Sequence, residues 1–283
     1  MYRAASRLLL GLAKNWMAGE SLEDALVRTR FANSKGMGGI INLLGEHSKS
    51  PSAIQANTQE YSRMLKLVKQ RGLRSSISVK PTQLGLIVSQ SLFESNLEFL
   101  AKEALELGSF VWLDMESSHY TDSTLDAYLK LYERYKNLGV ALQANLQRTS
   151  ADLDRLIRAR GRVRLVKGAY SEPSGIAFRS RKETDRRYLD LMRRLFAQSR
   201  DFAIATHDEK MIQEAVRLRR SGDAWFEFQM LLGIRNDLKP NLIRQGYVLN
   251  EYIPYGRDWL PYSLRRINER KRNIILLARS LFQ

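Results

Sequence analysis

The chain contains no cysteine, and this absence narrows the chemistry that its 283 residues can carry. Without a thiol there is no disulfide bond, no thiolate nucleophile and no cysteine-ligated metal. The three histidines, His47, His119 and His207, are far apart in sequence, and none belongs to an H-E-x-x-H pattern. We therefore expect no zinc site and assign no metal to this protein.

Long apolar runs and linker-like stretches are also missing. The longest apolar segments are too short to cross a bilayer, and the six prolines are scattered along the chain. A hydrophobic content of 44% is enough for a sizeable core. We expect one domain over residues 1–283, with an N-terminal helical segment over 1–35 that contains an amphipathic helix at Tyr2–Arg30. The expected location is the cytoplasm, with at most peripheral contact with the inner face of the membrane.

Positive charge is in excess, with 46 basic residues against 30 acidic ones and a net charge of +16. This balance permits nucleic acid, an anionic membrane surface or acidic metabolites as partners. No recognisable nucleic-acid-binding motif is found, so no nucleic-acid partner is expected. A basic nucleic-acid-binding protein on a barrel scaffold remains the alternative from another functional class.

Short β-rich stretches alternate with helical stretches along the chain. The eight predicted strands are Ile40–Leu44, Ser75–Lys80, Phe110–Met115, Ala141–Leu146, Val163–Val166, Phe202–Thr206, Trp225–Met230 and Tyr247–Tyr252. Helical periodicity lies between them, as in Leu92–Leu107 and Leu125–Leu138. Eight such repeats over about 250 residues predict an α/β fold, a (β/α)8 TIM-like barrel. A doubly wound open sheet is the alternative, disfavoured because no glycine-rich turn follows an early strand.

Polar residues gather where the predicted strands end. They include Lys80, Asp114, Glu116, Gln143, Asn145, Thr206, His207, Glu227, Gln229 and Tyr252. The carboxyl ends of barrel strands carry the active site, and buried charges need partners. This ring therefore predicts a functional site, although any single member could be a loop cap.

Two features indicate what that site binds. Along the fifth strand, Arg164 and Gly168 alternate onto one side, which suits a flat or anionic cofactor approaching the backbone. Near the C-terminus, Arg265 and Arg266 lie on one predicted helix, and an arginine fork binds a carboxylate through two hydrogen bonds. Together they predict a small site for an amino or keto acid, and a solvated basic helix face is the alternative for the arginine pair.

Several spaced motifs then resemble one family. They are Ser78-Val-Lys-Pro-Thr-Gln-Leu-Gly, Val163-Arg-Leu-Val-Lys-Gly-Ala-Tyr, Ala205-Thr-His-Asp, Phe226-Glu-Phe-Gln-Met-Leu and Tyr262-x-x-Arg-Arg-x-x-Glu. In this order they resemble the proline dehydrogenase family, from about Gly39 to the C-terminus. The length is similar to that of the compact, single-function bacterial and archaeal members. Pro81 after Lys80 departs from the family pattern.

The resemblance implies a flavoenzyme of proline catabolism. Such an enzyme has a (β/α)8 barrel and binds FAD. It oxidises L-proline to 1-pyrroline-5-carboxylate, the first step of proline degradation to glutamate, and passes the electrons to a quinone. The implied chemistry is hydride transfer from proline C5 to flavin N5. A related flavin-dependent imino-acid dehydrogenase, such as one for hydroxyproline, is the close alternative, although Tyr252 would fill the space that a ring hydroxyl needs.

The resemblance also implies roles for individual residues. Asp114 and Arg164 match the catalytic positions. The residues that look like the flavin-binding set are Met115, Gln143, Arg164, Val166, Lys167, Gly168, Ala169, Thr206 and His207. Those that look like the proline-binding set are Lys80, Leu231, Tyr252, Tyr262, Arg265 and Arg266. Glu269 would support the arginine pair.

Overall fold

The computed structural model describes Ala13, residues 15–220 and residues 224–268, with the backbone alone for 265–268. Eight parallel strands close into a barrel in chain order. They are β1 Gly38–Leu43, β2 Ser75–Val79, β3 Val111–Leu113, β4 Leu138–Gln143, β5 Arg162–Val166, β6 Asp201–Ala205, β7 Trp225–Leu231 and β8 Val248–Tyr255. The helices are α1 Leu22–Ser34, α2 Pro51–Gln70, α3 Gln90–Glu106, α4 Thr121–Tyr132, α5 Thr149–Arg158, α6 Arg181–Gln198, α7 Glu209–Arg220, α8 Lys239–Arg244 and α9 Trp259–Asn268. Short 3-10 turns follow β2 at Pro81–Gln83 and β3 at Ser118–Tyr120.

The closure of the sheet decides between the two predicted architectures. Strand β1 pairs in parallel with β8, from Gly38 opposite Asn250 to Leu43 opposite Tyr255. An open doubly wound sheet has two edge strands, whereas each of the eight strands here pairs with a neighbour on both sides, so that alternative is wrong. The (β/α)8 barrel is confirmed, and all eight predicted strands overlap an observed one.

Strand β4 corrects two predicted boundaries. It begins at Leu138 and ends at Gln143, three residues earlier than predicted, and the helix predicted over Leu125–Leu138 ends at Tyr132. The chain turns directly after the strand, because the carbonyl of Gln143 accepts hydrogen bonds from the Leu146 N–H and the Thr149 hydroxyl. This turn places Gln143 at the end of the strand, and Asn145 lies beyond it.

The predicted helix Tyr2–Arg30 is also corrected where the structure describes it. Residues 15–21 are not helical, and α1 begins at Leu22. Ser21 caps the helix by accepting a hydrogen bond from the Asp24 N–H, while the Asp24 carboxylate accepts one from the Ser21 N–H. Such a capping box satisfies amide groups at a helix N-terminus and so fixes the start of the helix.

Apolar and polar layers occupy different parts of the barrel. The main apolar core lies between the strands and the surrounding helices, with Phe93 and Tyr128 among its buried members. Inside the barrel, Trp112 packs with Ile40 and Ala203. Gly139 makes room for Trp112, since a Cβ there would lie 2.4 Å from the Trp112 ring. The Arg164 guanidinium lies 4.6 Å from the centre of that ring. Among the described residues, no helix has the length and apolar character needed to traverse a bilayer.

Candidate active site

A cleft of about 1290 Å³ opens at the carboxyl ends of the strands. Every residue to which the family resemblance assigns a role and whose side chain is described lines it. These are Lys80, Asp114, Met115, Gln143, Arg164, Val166, Lys167, Gly168, Ala169, Thr206, His207, Leu231, Tyr252 and Tyr262. Glu116, Asn145 and Glu227 of the predicted polar ring do not line it. Strands β2 to β8 thus deliver side chains to one cavity, as barrel geometry requires.

Asp114 lies at the base of this cleft, just after β3, and four donors meet its carboxylate. One carboxylate oxygen accepts hydrogen bonds from Lys80 Nζ at 2.9 Å and Tyr252 Oη at 2.6 Å. The other accepts from Arg164 Nη1 and Ser78 Oγ, both at 2.7 Å. The side chains of Lys80 and Arg164 are 11% and 4% exposed, so both cations are held out of water against this single carboxylate.

The charges of this cluster shift one another's pKa values. Burial alone would raise the pKa of Asp114, but Lys80 and Arg164, together with hydrogen bonds from Tyr252 and Ser78, hold that pKa at about 2. Burial would lower the pKa of Lys80, but the Asp114 carboxylate holds it above its ordinary value. Burial lowers the pKa of Arg164, yet a guanidinium remains protonated in proteins. The cluster therefore carries two positive charges and one negative charge.

A second row of polar side chains lies deeper in the barrel. Arg164 Nε donates to Gln229, and Gln229 Nε2 in turn donates to Glu227 at 2.6 Å. Glu227 also accepts from Arg162 Nη2 at 3.2 Å. These contacts fix the Arg164 side chain, but its Nη2 atom is buried and has no hydrogen-bond partner among the described residues. An orphaned donor on a fixed cation at the base of a cleft fits a ligand that offers an acceptor.

Several of the residues predicted to bind flavin form a second group of contacts, around the ends of β5 and β6. Lys167 Nζ forms ion pairs with Asp185 and with Asp208, the latter at 2.8 Å. The Nε2 atom of His207 accepts a hydrogen bond from the Leu231 N–H at 2.8 Å, so that nitrogen carries no proton. These contacts join the ends of β5, β6 and β7 into one wall of the cleft.

Gly168 has a local structural reason to be glycine. Its φ angle is +106°, and a Cβ there would lie 2.0 Å from Asn145 Oδ1. We predicted that a cofactor approaches the backbone at Gly168, but the Asn145 side chain occupies the space where a Cβ would lie. Any other residue type would meet both an unfavourable backbone conformation and a direct overlap.

Some residues of the site were not identified from the sequence. Ser78 donates to Asp114, and it also accepts a hydrogen bond from Arg164 Nη1 at 3.0 Å. Its position two residues before Lys80, on the same side of the predicted strand Ser75–Lys80, was the available signal. A basic rim was missed as well, and it comprises Arg181, Lys182, Arg186, Lys210 and Arg235. The available signal was the basic composition of residues 179–194, which are rich in arginine and lysine.

The arginine pair is located only by its backbone. Arg265 and Arg266 lie in α9, three and four residues after Tyr262, and residues at that spacing share a helix face. Tyr262 is buried and lines the cleft. The side chains of the two arginines, and the whole of Glu269, lie outside the described residues.

Comparison with known proteins gives a consistent result. A family model for proline dehydrogenase matches residues 25–277. Proline dehydrogenase 2 of Bacillus subtilis (strain 168) is 32% identical over 286 aligned positions, covering 97% of this chain and 94% of that protein. A proline dehydrogenase of Deinococcus radiodurans is 32% identical over 287 positions, covering 99% of this chain and 93% of that protein.

A solved structure supports the same fold. Proline utilization A from Bdellovibrio bacteriovorus, inactivated by N-propargylglycine, superposes with a TM-score of 0.88 at 24% identity. The match covers 96% of this chain but only 34% of that one, so the chain spans about a third of the larger protein. The family resemblance predicted from the motifs is confirmed: this chain belongs to the proline dehydrogenase family.

Proposed function

We propose that this protein oxidises L-proline to 1-pyrroline-5-carboxylate with FAD as its cofactor and a quinone as the electron acceptor. This is the first step of proline degradation. The observation that carries the proposal is the cluster at the base of the cleft, where Lys80 and Arg164 converge on Asp114. Family membership supplies the reaction class, and this cluster supplies the electrostatics that such a substrate needs.

The cleft fits a flavin dinucleotide in three respects. Its volume of about 1290 Å³ exceeds that of an ordinary small-ligand pocket, roughly 300–1,000 Å³. The basic rim of Arg181, Lys182 and Arg186 complements a pyrophosphate. The Nη2 atom of Arg164, which has no hydrogen-bond partner in the described part of the chain, offers a hydrogen bond to an acceptor atom of the ring system. When bound, the flavin would accept hydride from the substrate and pass two electrons to the quinone.

The protein's own contribution is orientation and charge. Two cations and one carboxylate leave the cluster of Lys80, Arg164 and Asp114 with one net positive charge. That charge attracts the substrate carboxylate and disfavours the ammonium form of the ring nitrogen. A neutral amine has the lone pair that forms the C=N bond as C5 is oxidised. Tyr252 and Leu231, which line the same cleft, suit the faces of a small apolar ring.

The role of Asp114 follows from its pKa of about 2. A carboxylate that loses its proton so readily is a poor base near neutral pH, because general-base catalysis favours a pKa near the working pH. We therefore assign Asp114 to holding Lys80 and Arg164 in place. Deprotonation of the substrate nitrogen is promoted by the positive charge of the cluster.

The proposal is tested with the FAD-loaded protein, L-proline and a soluble quinone. The expected product is two hydrogens lighter than proline by mass spectrometry, and trans-4-hydroxy-L-proline should be a much poorer substrate. Replacing Arg266 with methionine should raise KM for proline by about tenfold or more, because a charged hydrogen bond contributes about 1.5–3 kcal/mol. Flavin absorbance should be retained in this variant.

Two results would contradict these assignments. Loss of flavin from Arg266→Met with an unchanged KM would mean that this arginine serves the cofactor. Turnover of hydroxyproline at a rate equal to that of proline would move the protein to the broader imino-acid dehydrogenase class.

We also propose contact with an anionic membrane surface, since quinones reside in the bilayer. The net charge of +16 suits acidic lipid headgroups. The protein should co-sediment with phosphatidylglycerol vesicles at low salt and dissociate as the salt concentration rises. Absence of co-sedimentation at low salt would contradict this part of the proposal.

A further inference from the structure

We propose that Lys239 is a positioning residue for the substrate pocket. Its ammonium group holds the main-chain carbonyl of Leu231 and thereby fixes the apolar wall that Leu231 forms beside Tyr252. The inference rests on the proposed function, because that function makes this wall the contact surface for the proline ring. Lys239 itself does not line the cleft.

Lys239 is an unusually buried lysine. It is the first residue of α8, and its side chain is 3% exposed. The ammonium donates to Glu251 Oε1 at 2.6 Å, to the Leu231 carbonyl at 3.0 Å and to Asn236 Oδ1 at 3.4 Å. An ammonium has three donors, so each hydrogen has an acceptor.

Leu231 is the last residue of β7, and hydrogen bonds hold it from both sides. Its N–H donates to His207 Nε2 at 2.8 Å, and its carbonyl accepts from Lys239. It lies opposite Tyr252 in the pairing of β7 with β8, and the next N–H, of Leu232, donates to the Tyr252 carbonyl at 2.9 Å. The Lys239 bond is therefore made at the point where the chain leaves the sheet.

Glu251 and Arg28 complete the buried charges on this side of the barrel. Glu251 is fully buried, and its second oxygen accepts from Arg28 Nε at 3.1 Å and Nη2 at 3.0 Å. Arg28 is in α1 and has no hydrogen bond to Leu231 among its observed contacts. It therefore provides a matched control, because removing it disturbs Glu251 but leaves the Leu231 carbonyl bonded.

Stability alone does not explain a lysine at this position. A buried ion pair can often be replaced by apolar residues of similar volume without loss of stability. An apolar pair, however, cannot donate a hydrogen bond to the Leu231 carbonyl. Substitutions that retain the fold but remove that donor separate a positioning role from a purely structural one.

The experiment compares Lys239→Met with Arg28→Met in the FAD-loaded protein. We expect Lys239→Met to raise KM for proline about tenfold, since misfit of a methylene-sized apolar contact changes affinity by about 10–200-fold. The Kd of cyclopentanecarboxylate, a ring carboxylate without the nitrogen, should rise equally when it is titrated against the flavin spectrum. The value of kcat should change less than twofold. Arg28→Met should lower Tm while leaving KM and Kd within twofold of wild type.

A second variant tests the same inference if Lys239→Met does not fold. Lys239→Met/Glu251→Met removes both charges and should retain the fold, and it should raise KM and Kd as the single substitution does. Wild-type KM and Kd in this double variant would overturn the inference. An equal rise in Arg28→Met would also overturn it, because the cause would then be the Glu251 charge. Wild-type protein that neither oxidises proline nor binds the analogue would refute the proposed function, and the inference with it.

Discussion

Replacing Asp114 with asparagine removes the negative charge between Lys80 and Arg164 while nearly preserving side-chain size. In the wild type the pKa of this carboxyl is about 2, against an ordinary value of 3.8. Since one pKa unit corresponds to about 1.4 kcal/mol, ionised Asp114 contributes about 2 kcal/mol to the free energy of unfolding. The variant also leaves two buried cations without their carboxylate, and losing one partner of a buried pair costs about 3–5 kcal/mol. We expect the free energy of unfolding of Asp114→Asn to be about 2–5 kcal/mol lower than that of the wild type at neutral pH.

The pH dependence of this loss has a definite sign. A carboxyl whose pKa is lowered by folding stabilises the protein above its unfolded pKa, and this stabilisation is lost as pH falls toward the folded pKa. For Asp114 the window lies between about pH 4 and pH 2. At pH 3 about half of the stabilisation from ionised Asp114 is lost. The difference in free energy of unfolding between the wild type and Asp114→Asn should therefore be about 1 kcal/mol smaller than at pH 7.

The assay is urea unfolding of both proteins at pH 7 and pH 3, followed by tryptophan fluorescence. Asp122→Asn is the matched control, because Asp122 pairs with Arg148 at the surface and its side chain is 69% exposed. Exposed ion pairs contribute about 0–1 kcal/mol, so the free energy of unfolding of Asp122→Asn should fall by less than about 1 kcal/mol. A loss below about 1 kcal/mol for Asp114→Asn at pH 7, or a difference that does not narrow at pH 3, would refute the reasoning.

Three further substitutions test neighbouring parts of the site. Lys80→Met should raise the pKa of Asp114, because Lys80 is the strongest influence that opposes burial, and KM for proline should rise at least tenfold by steady-state kinetics. Tyr252→Phe removes a 2.6 Å hydrogen bond to the ionised Asp114 carboxylate and should raise KM by about tenfold or more with kcat nearly unchanged, since a hydrogen bond to a charged group contributes about 1.5–3 kcal/mol. Gly168→Ala should lower the free energy of unfolding by about 1–3 kcal/mol, measured by thermal unfolding, because φ is +106° and the added methyl overlaps the Asn145 side-chain amide. Gly175→Ala, where a Cβ meets no atom of the described residues within 4 Å, should change the free energy of unfolding little.

The barrel was predictable because its signals are local. Each strand and each helix carries its own periodicity, and eight repeats of that alternation leave few architectures. The cleft residues were predictable for a related reason. Once the strands are parallel, their carboxyl ends lie on one side, so Lys80, Asp114 and Arg164 are brought together by topology rather than by sequence spacing.

The errors arose where tertiary contacts override local preference. Gly139 resembles a helix end, but it lies inside β4 because the Trp112 ring occupies the place of a side chain there. Ser78 resembles any small polar strand residue, and only closure of the barrel brings it against Arg164, which lies 86 positions along the chain. Lys239 carries no sequence signal of burial, because its partners Leu231 and Glu251 come from two different strands.

The central claim is that this cleft binds a flavin which proline reduces. It is tested most directly by the visible absorption spectrum of the FAD-loaded protein, recorded without oxygen before and after addition of L-proline. We expect flavin bands that bleach with proline and return when a quinone is added. Flavin bands that proline leaves unchanged, or a protein that retains no flavin after incubation with FAD, would contradict the account.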